Sequence, residues 1–151
     1  MPPATSATMT PKRDAVSMEL TIPSDPAEGR RVQEDIERHL RACHFGDHDI
    51  FSIKLALEEA LVNAIKHGNQ MDRSKKVRIS YSVRPDRFDV CVTDEGRGFD
   101  PSDVPDPTAP ENLERPCGRG LMLMRHYMSE VAYNAPGNSV TMSKFPRCKD
   151  K

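Results

Sequence analysis

No run of apolar residues in this chain approaches the roughly 18 consecutive positions that a membrane-spanning helix needs. The N-terminus has no apolar signal core either, so neither membrane insertion nor export is expected. An excess of one charge is also missing. The formal net charge of the 151 residues is −1, which gives no broad pull toward nucleic acid or an anionic membrane. The four cysteines, Cys43, Cys91, Cys117 and Cys148, show no CxxC spacing. A disulfide framework or zinc finger therefore has no support, and free thiols in a cytoplasmic protein are expected. Cys43, His44 and His48 lie near Asp47 and Asp49, but Gly46 interrupts any helical register there. Polar loop residues ahead of a helix account for them without a metal. Two familiar phosphate loops are absent as well. No Gly-x4-Gly-Lys-Ser/Thr stretch exists, which excludes a P-loop. Gly96 and Gly98 lack a third glycine and run into Pro101 instead of a helix, so a dinucleotide-binding turn does not fit.

What is present is one domain's worth of chain, with a hydrophobic share of 36% that a polar tail and a Pro-rich insert dilute. Residues 1–16 are rich in Pro, Thr, Ser and Ala without periodicity and are expected to form a disordered tail; the domain spans 17–146, and 147–151 is a short C-terminal tail. Met18 to Ile22 alternates apolar and polar side chains, as a half-buried strand does. After the Pro23-Ser24-Asp25-Pro26 turn, Val32, Ile36 and Leu40 recur every four residues on a charged background, which predicts a surface helix with one buried stripe. His39 on its charged side is expected to be solvated. Asp47 or Asp49 is expected to cap the next helix, whose core face carries Ile53, Leu57, Leu61 and Ala64.

Leu55, Glu59, Asn63 and His67 form a neighbouring stripe on that helix, and Gly68 is placed as the residue just past its end. Glu58 faces away from Glu59 and is expected to pair with Lys54 one turn earlier. Val77, Ile79, Tyr81 and Val83, then Phe88, Val90 and Val92, alternate with polar residues around Pro85-Asp86 and predict an antiparallel hairpin. Asp94 shares the parity of Phe88, Val90 and Val92, so it ends the core-facing side of its strand.

Residues 100–117 contain five prolines and no period, which marks a lid or a disordered insert. Gly118-Arg119-Gly120 then opens a helix with Leu121, Met124 and Met128 on its inner face. Val131 to Tyr133 and Val140 to Phe145 read as closing strands around an Asn134–Asn138 turn. There are no internal repeats. The order strand, helix, helix, strand, strand, lid, helix, strand, strand gives a two-layer α/β sandwich.

Three polar clusters sit at element ends or beside the core: Glu59 with Asn63, Asp94 to Gly98, and Gly118-Arg119-Gly120. Each alone is compatible with an ordinary surface pair or a tight turn. Together, in this order, they resemble the ATP-binding domain of the GHKL superfamily, which includes gyrase, histidine kinases and mismatch-repair ATPases. The likeness is greatest to the anti-sigma-factor serine kinases of bacterial switches. Glu59-Ala60-x-x-Asn63-Ala64-x-x-His67-Gly68 matches the N box, Asp94-x-Gly96-x-Gly98-Phe99 the first glycine box and Gly118-x-Gly120-Leu121 the second. The resemblance covers residues 18–145.

The resemblance implies a mostly antiparallel sheet with three helices on one face. It implies ATP and Mg2+ as cofactors, with Asn63 as the metal ligand and Glu59 as the base for an incoming hydroxyl. Asp94 would accept from the adenine amino group. Gly96 and Gly98 would let the backbone approach the base and sugar. Gly118 and Gly120 would offer N–H groups to the phosphates, with Arg119 adding positive charge and Leu121 following them. His67 with Gly68 would close the helix beside the pocket. Where the family often has a phosphate-contacting threonine after Gly137, this chain has Asn138.

By the same resemblance, the function is an ATP-dependent serine/threonine protein kinase that is also an anti-sigma factor. Its partners would be a small anti-sigma-antagonist carrying the phosphoacceptor and a sigma factor or similar regulator, with no direct nucleic-acid or membrane contact. Family members are commonly homodimers. Two alternatives stay open: an ATP-binding module that holds a partner without phosphoryl transfer, and a stand-alone histidine-kinase-type catalytic domain.

Overall fold

The computed structural model describes residues 16–96, 116–134 and 137–146; of these, the side chains of residues 116–121 are outside the description. The chain forms β1 (Val16–Pro23), α1 (Pro26–Ala42), α2 (Asp47–Val62) with a π-helical continuation (Asn63–Gly68), β2 (Lys76–Arg84), β3 (Arg87–Thr93), α3 (Pro116–Tyr127), β4 (Glu130–Tyr133) and β5 (Ser139–Lys144). The expected element order holds. Val16, assigned to the tail from sequence, instead starts β1, because it pairs with Val83 across the sheet. Residues 1–15, most of the lid and the C-terminal tail lie outside the described residues, except that Pro116 and Cys117 belong to α3.

The five strands pair in the order β1-β2-β3-β5-β4, and every pairing is antiparallel. Register follows the period-two alternation. One row runs Leu20, Ile79, Val92, Val140, Tyr133 across all five strands, and the next runs Met18, Tyr81, Val90, Met142, Val131. The central members of these rows are buried under the helices. The opposite face carries Arg78, Ser80, Ser82, Cys91 and Thr93, none of them buried. A one-residue slip would exchange the two faces, so the apolar rows fix the register.

Helix α1 starts cleanly because Asp25 Oδ1 accepts from Ala27 N at 2.9 Å and Pro26 occupies the first turn. Its buried positions are Gly29, Val32, Ile36 and Leu40, the narrow stripe expected. Gly29 permits close approach to α2, since a Cβ there would stand 3.3 Å from Ile65 Cδ1. Helix α2 buries a wider face, including Ile50, Ile53, Ala56, Leu57, Ala60 and Leu61. It packs against both α1 and α3 as well as the sheet.

Three local expectations are corrected. Gly46 is the N-cap of α2 and no side chain caps it; Asp47 and Asp49 fall in the first turn, where a negative charge favours the helix dipole. Lys54 pairs with Glu37 of α1 at 3.1 Å, not with Glu58, because packing brings Glu37 within reach. His39 is half-buried, with Nδ1 3.1 Å from the Tyr81 hydroxyl, because α1 lies over β2 at that level.

Phe88 is completely buried at the centre of the sheet. Phe88→Ala is expected to cost about 3–5 kcal/mol. Urea unfolding should show this as a lower midpoint at an unchanged slope.

Candidate functional site

The site begins where α2 stops being α-helical. From Asn63 to Gly68 the backbone widens into a π turn, with Asn69 N donating to Ala64 O at 2.9 Å and Met71 N to Ile65 O at 2.8 Å. Such turns are uncommon and recur at functional positions. The wider turn keeps Ala64 and Ile65 in the core. Asn63 stays half-buried and His67 exposed, and both line one cavity.

The sequence placed Gly68 as the cap just past the helix end. It is not one. The left-handed residues near this helix end are Gln70 (φ 55°) and Met71 (φ 62°), two and three positions further on. Gly68 is required by space instead. A Cβ there would overlap the Asp94 carboxyl, 2.5 and 2.6 Å from its two oxygens. A Cβ on Gly96 would stand 2.7 Å from the carbonyl carbon of Gly68 and also overlap its oxygen. The end of the π turn and the loop after β3 thus touch through two glycines, with Asp94 between them.

Asp94 is held from several sides. Its N–H donates to Asn138 O at 2.9 Å, its carbonyl accepts from Asn138 Nδ2 at 3.2 Å, and its Oδ1 accepts from Gly96 N at 2.7 Å. Burial raises the Asp94 carboxyl above the usual carboxylate range, partly offset by the Gly96 bond. Asn138 is itself fixed: its Oδ1 accepts from Asn134 Nδ2 at 2.9 Å. The position where a phosphate contact was in question therefore sits beside Asp94 and fixes that residue's backbone.

The cavity they enclose is about 470 Å³, within the usual range for small-molecule sites. Ala60, Ala64, Val92 and Val140 give it apolar walls, and Asn63, His67, Asp94 and Asn138 give it polar groups. Asp94 and Asn63 are brought together as the sequence suggested. Glu59, one turn before Asn63, is half-buried and is not among the lining residues. Gly118, Arg119, Gly120 and Leu121 fall inside α3, which starts at Pro116 and packs against α2 and the π turn. Gly118 is in the first turn, where N–H groups lack helical partners, whereas Gly120 is the fifth helical residue. Gly98 lies outside the described residues.

Sequence reasoning missed Gln70, Lys75 and Tyr133, which also line the cavity. They carry no spacing signal, since Gln70 and Lys75 come from the connection before β2 and Tyr133 from the end of β4. Among the described residues no three His, Cys, Asp or Glu side chains gather to hold a metal ion. Cys43 is a core residue.

A family model described as a histidine kinase-like ATPase domain matches residues 22–144. The chain belongs to this family. Within it the chain is similar to the serine-protein kinase RsbW of Bacillus licheniformis, 29% identical over 141 residues, covering 89% of this chain and 88% of that protein. It is also similar to the serine-protein kinase RsbW of Listeria innocua, 31% identical over 108 residues, covering 67% of this chain and 69% of that one. These likenesses place the histidine kinase-like ATPase domain with the anti-sigma-factor serine kinases, as the motifs suggested. The fold matches a solved structure of RsbU and RsbW domains from Mycobacterium tuberculosis, with a TM-score of 0.60 at 18% identity over 88% of this chain and 33% of that longer chain.

A histidine kinase-like ATPase domain uses ATP, and the residues present fit that ligand. The cavity is of suitable size, the close contact of Gly68 and Gly96 seats the Asp94 carboxyl at its wall, and that partly desolvated group offers an acceptor beside apolar walls. No helix among the described residues is long and apolar enough to cross a membrane.

The raised pKa of Asp94 gives a stability prediction. The folded state binds this proton more readily than the unfolded chain, so Asp94 stabilises less as pH rises from the ordinary carboxylate range through the folded value. Asp94→Asn keeps the acceptor for Gly96 N and removes the charge. It is expected to melt at a higher temperature than the unsubstituted chain at neutral pH, with the gap closing as pH falls through the Asp94 pKa. Thermal melts of both proteins from neutral to acid pH test this; a constant gap contradicts it.

Proposed function

We propose that the cavity binds Mg2+–ATP and that the domain transfers phosphate to a serine or threonine of a small anti-sigma-antagonist partner. What carries the reading is Asp94, a half-buried carboxylate wedged between Gly68 and Gly96 in a cavity that Asn63 also lines. Bound Mg2+–ATP would supply the transferable phosphoryl group and the cation that neutralises its charge.

Each protein group then has a defined task. Asp94 accepts from the 6-amino group of the base, which favours adenine over guanine, since guanine has a carbonyl oxygen at that position. Gly68 and Gly96 leave the room that seats the Asp94 carboxyl at the cavity wall. Asn63 offers one side-chain oxygen, which suits Mg2+, since that ion takes few protein ligands and leaves the rest to water and phosphates. Gly118 N–H, in the first turn of α3, is placed where a helix start favours anions. Arg119 adds positive charge at the same helix start. Glu59 takes the proton of the incoming hydroxyl. The likeness to serine-protein kinases supports the choice of acceptor. By the same likeness the domain would also bind a sigma factor or similar regulator and exchange partners with nucleotide state.

One observation favours a second reading. Because Glu59 stands outside the cavity lining, the domain could hold ATP as a structural ligand and bind its partner without transfer. Glu59→Ala separates the two. Mixed with Mg2+, labelled ATP and an antagonist domain bearing an exposed serine, the unsubstituted protein should yield acid-stable phosphate on the partner. Glu59→Ala should slow this by about 10²–10⁴-fold while ATP binding stays within about twofold. Transfer that survives the substitution removes the base assignment, and a chain that binds no ATP at millimolar concentration removes the site.

A further inference from the structure

Asn69 follows the glycine that touches Asp94, and it is fully buried. Its side chain uses every strong hydrogen-bonding group it has. Nδ2 donates to Ser24 Oγ at 2.9 Å and to Lys76 O at 3.0 Å, and Oδ1 accepts from Glu95 N at 2.8 Å. Ser24 Oγ in turn donates to Lys75 O at 2.7 Å. One amide therefore ties together the turn after β1, the start of β2 and the loop after β3.

The three bonds have different consequences. Those to Ser24 and Lys76 tie the turn after β1 to the start of β2 and serve the fold. The bond to Glu95 N acts on the peptide that follows Asp94. Asn138 accepts from the N–H on the other side of Asp94 and also donates to the Asp94 carbonyl, which belongs to the same peptide as the Glu95 N–H. Asp94 is thus gripped by an asparagine on each side, and the Gly68 and Gly96 backbones leave its carboxyl little room to swing. Groups that bind a ligand need this kind of pre-set geometry, because fixing them on binding would cost affinity.

We infer that Asn69 is a positioning residue for base recognition, holding Asp94 at its place in the cavity through the Glu95 peptide. The inference rests on the proposed nucleotide site. Freeing the Glu95 peptide lets the Asp94 carboxyl drift from the direction that favours an exocyclic amino group at that position. Selectivity between bases should then suffer more than the phosphate end of the site, which lies with other residues.

Calorimetric titration with ADP and with GDP, alongside thermal melting, tests this on three proteins: the unsubstituted chain, Asn69→Ala and Ser24→Ala. Ser24→Ala removes a structural bond of the same network without touching Glu95. The preference for ADP over GDP should fall about fivefold to tenfold in Asn69→Ala, as the loss of one net hydrogen bond implies. Ser24→Ala should lower the melting temperature and leave the preference within about twofold. An unchanged preference in folded Asn69→Ala overturns the inference, as does an equal loss in Ser24→Ala. Should Asn69→Ala not fold, hydrogen exchange of the Glu95 amide in the unsubstituted, nucleotide-free protein decides. Exchange at least about tenfold slower than in an unstructured chain upholds the clamp, and exchange at the unstructured rate overturns it. An unsubstituted chain that binds neither nucleotide rejects the site itself, an outcome distinct from binding with unaltered selectivity.

Discussion

The contact between the end of the α2 π turn and the loop after β3 is the constraint on which the site depends. Two backbones meet there at Gly68 and Gly96, closer than any side chain would permit, with the Asp94 carboxyl wedged between them. A carboxylate loses hydration in such a place, and its raised pKa records that cost. The cost is borne by the surrounding packing: the apolar rows of the sheet fix where β3 ends, and the buried face of α2 fixes where the π turn begins. A functional group set in an unfavourable position by a rigid frame is a common arrangement in binding sites.

Apart from His44 (φ 66°) after α1 and Gly137 (φ 80°) before β5, the backbone irregularities among the described residues lie at this same junction. The π turn, the left-handed Gln70 and Met71 and the two crowded glycines all fall between Asn63 and Gly96, while the sheet and α1 are regular. Strained or unusual backbone persists where neighbouring structure over-determines it. Here the determinants are specific: Ala64 and Ile65 are locked in the core, and Asn69 bonds to three separate segments. The two sides of the site also differ in kind. The Asp94 side is held by backbone and asparagine hydrogen bonds, which give fixed directions. The neighbouring helix face at Glu59 is half-buried and lies outside the cavity lining.

Much of this was legible in the chain. Period-two alternation in β2 and β3 gave the hairpin and the inward parity of Asp94, because each apolar residue there reports which face is covered. The stripe of Val32, Ile36 and Leu40 gave α1 for the same reason at helical period. Glu59, Asn63 and His67 were found by spacing along one helix. Long-range partners were not legible. His39 with Tyr81, Lys54 with Glu37 and Asn69 with Ser24, Lys76 and Glu95 join residues whose spacing in sequence says nothing about distance in space. Gly68 was noticed for the wrong reason, since a glycine after a helix reads as a cap until the strand that crowds it is in place.

The sequence by itself determined the faces: which side of each strand and helix is apolar, where the turns fall, and that a carboxylate ends the buried side of β3. Those properties are set by neighbours a few positions apart, through pleat and helix period. Only the tertiary structure decided what that carboxylate touches. Gly68, Asn69, Asp94, Gly96 and Asn138 come from the end of a helix, the end of a strand and a distant turn, and they meet because the sheet order places β5 beside β3 and the π turn above it. Hydrogen bonds and steric exclusion act over a few ångströms, so this part of the site exists only once the fold has closed that distance.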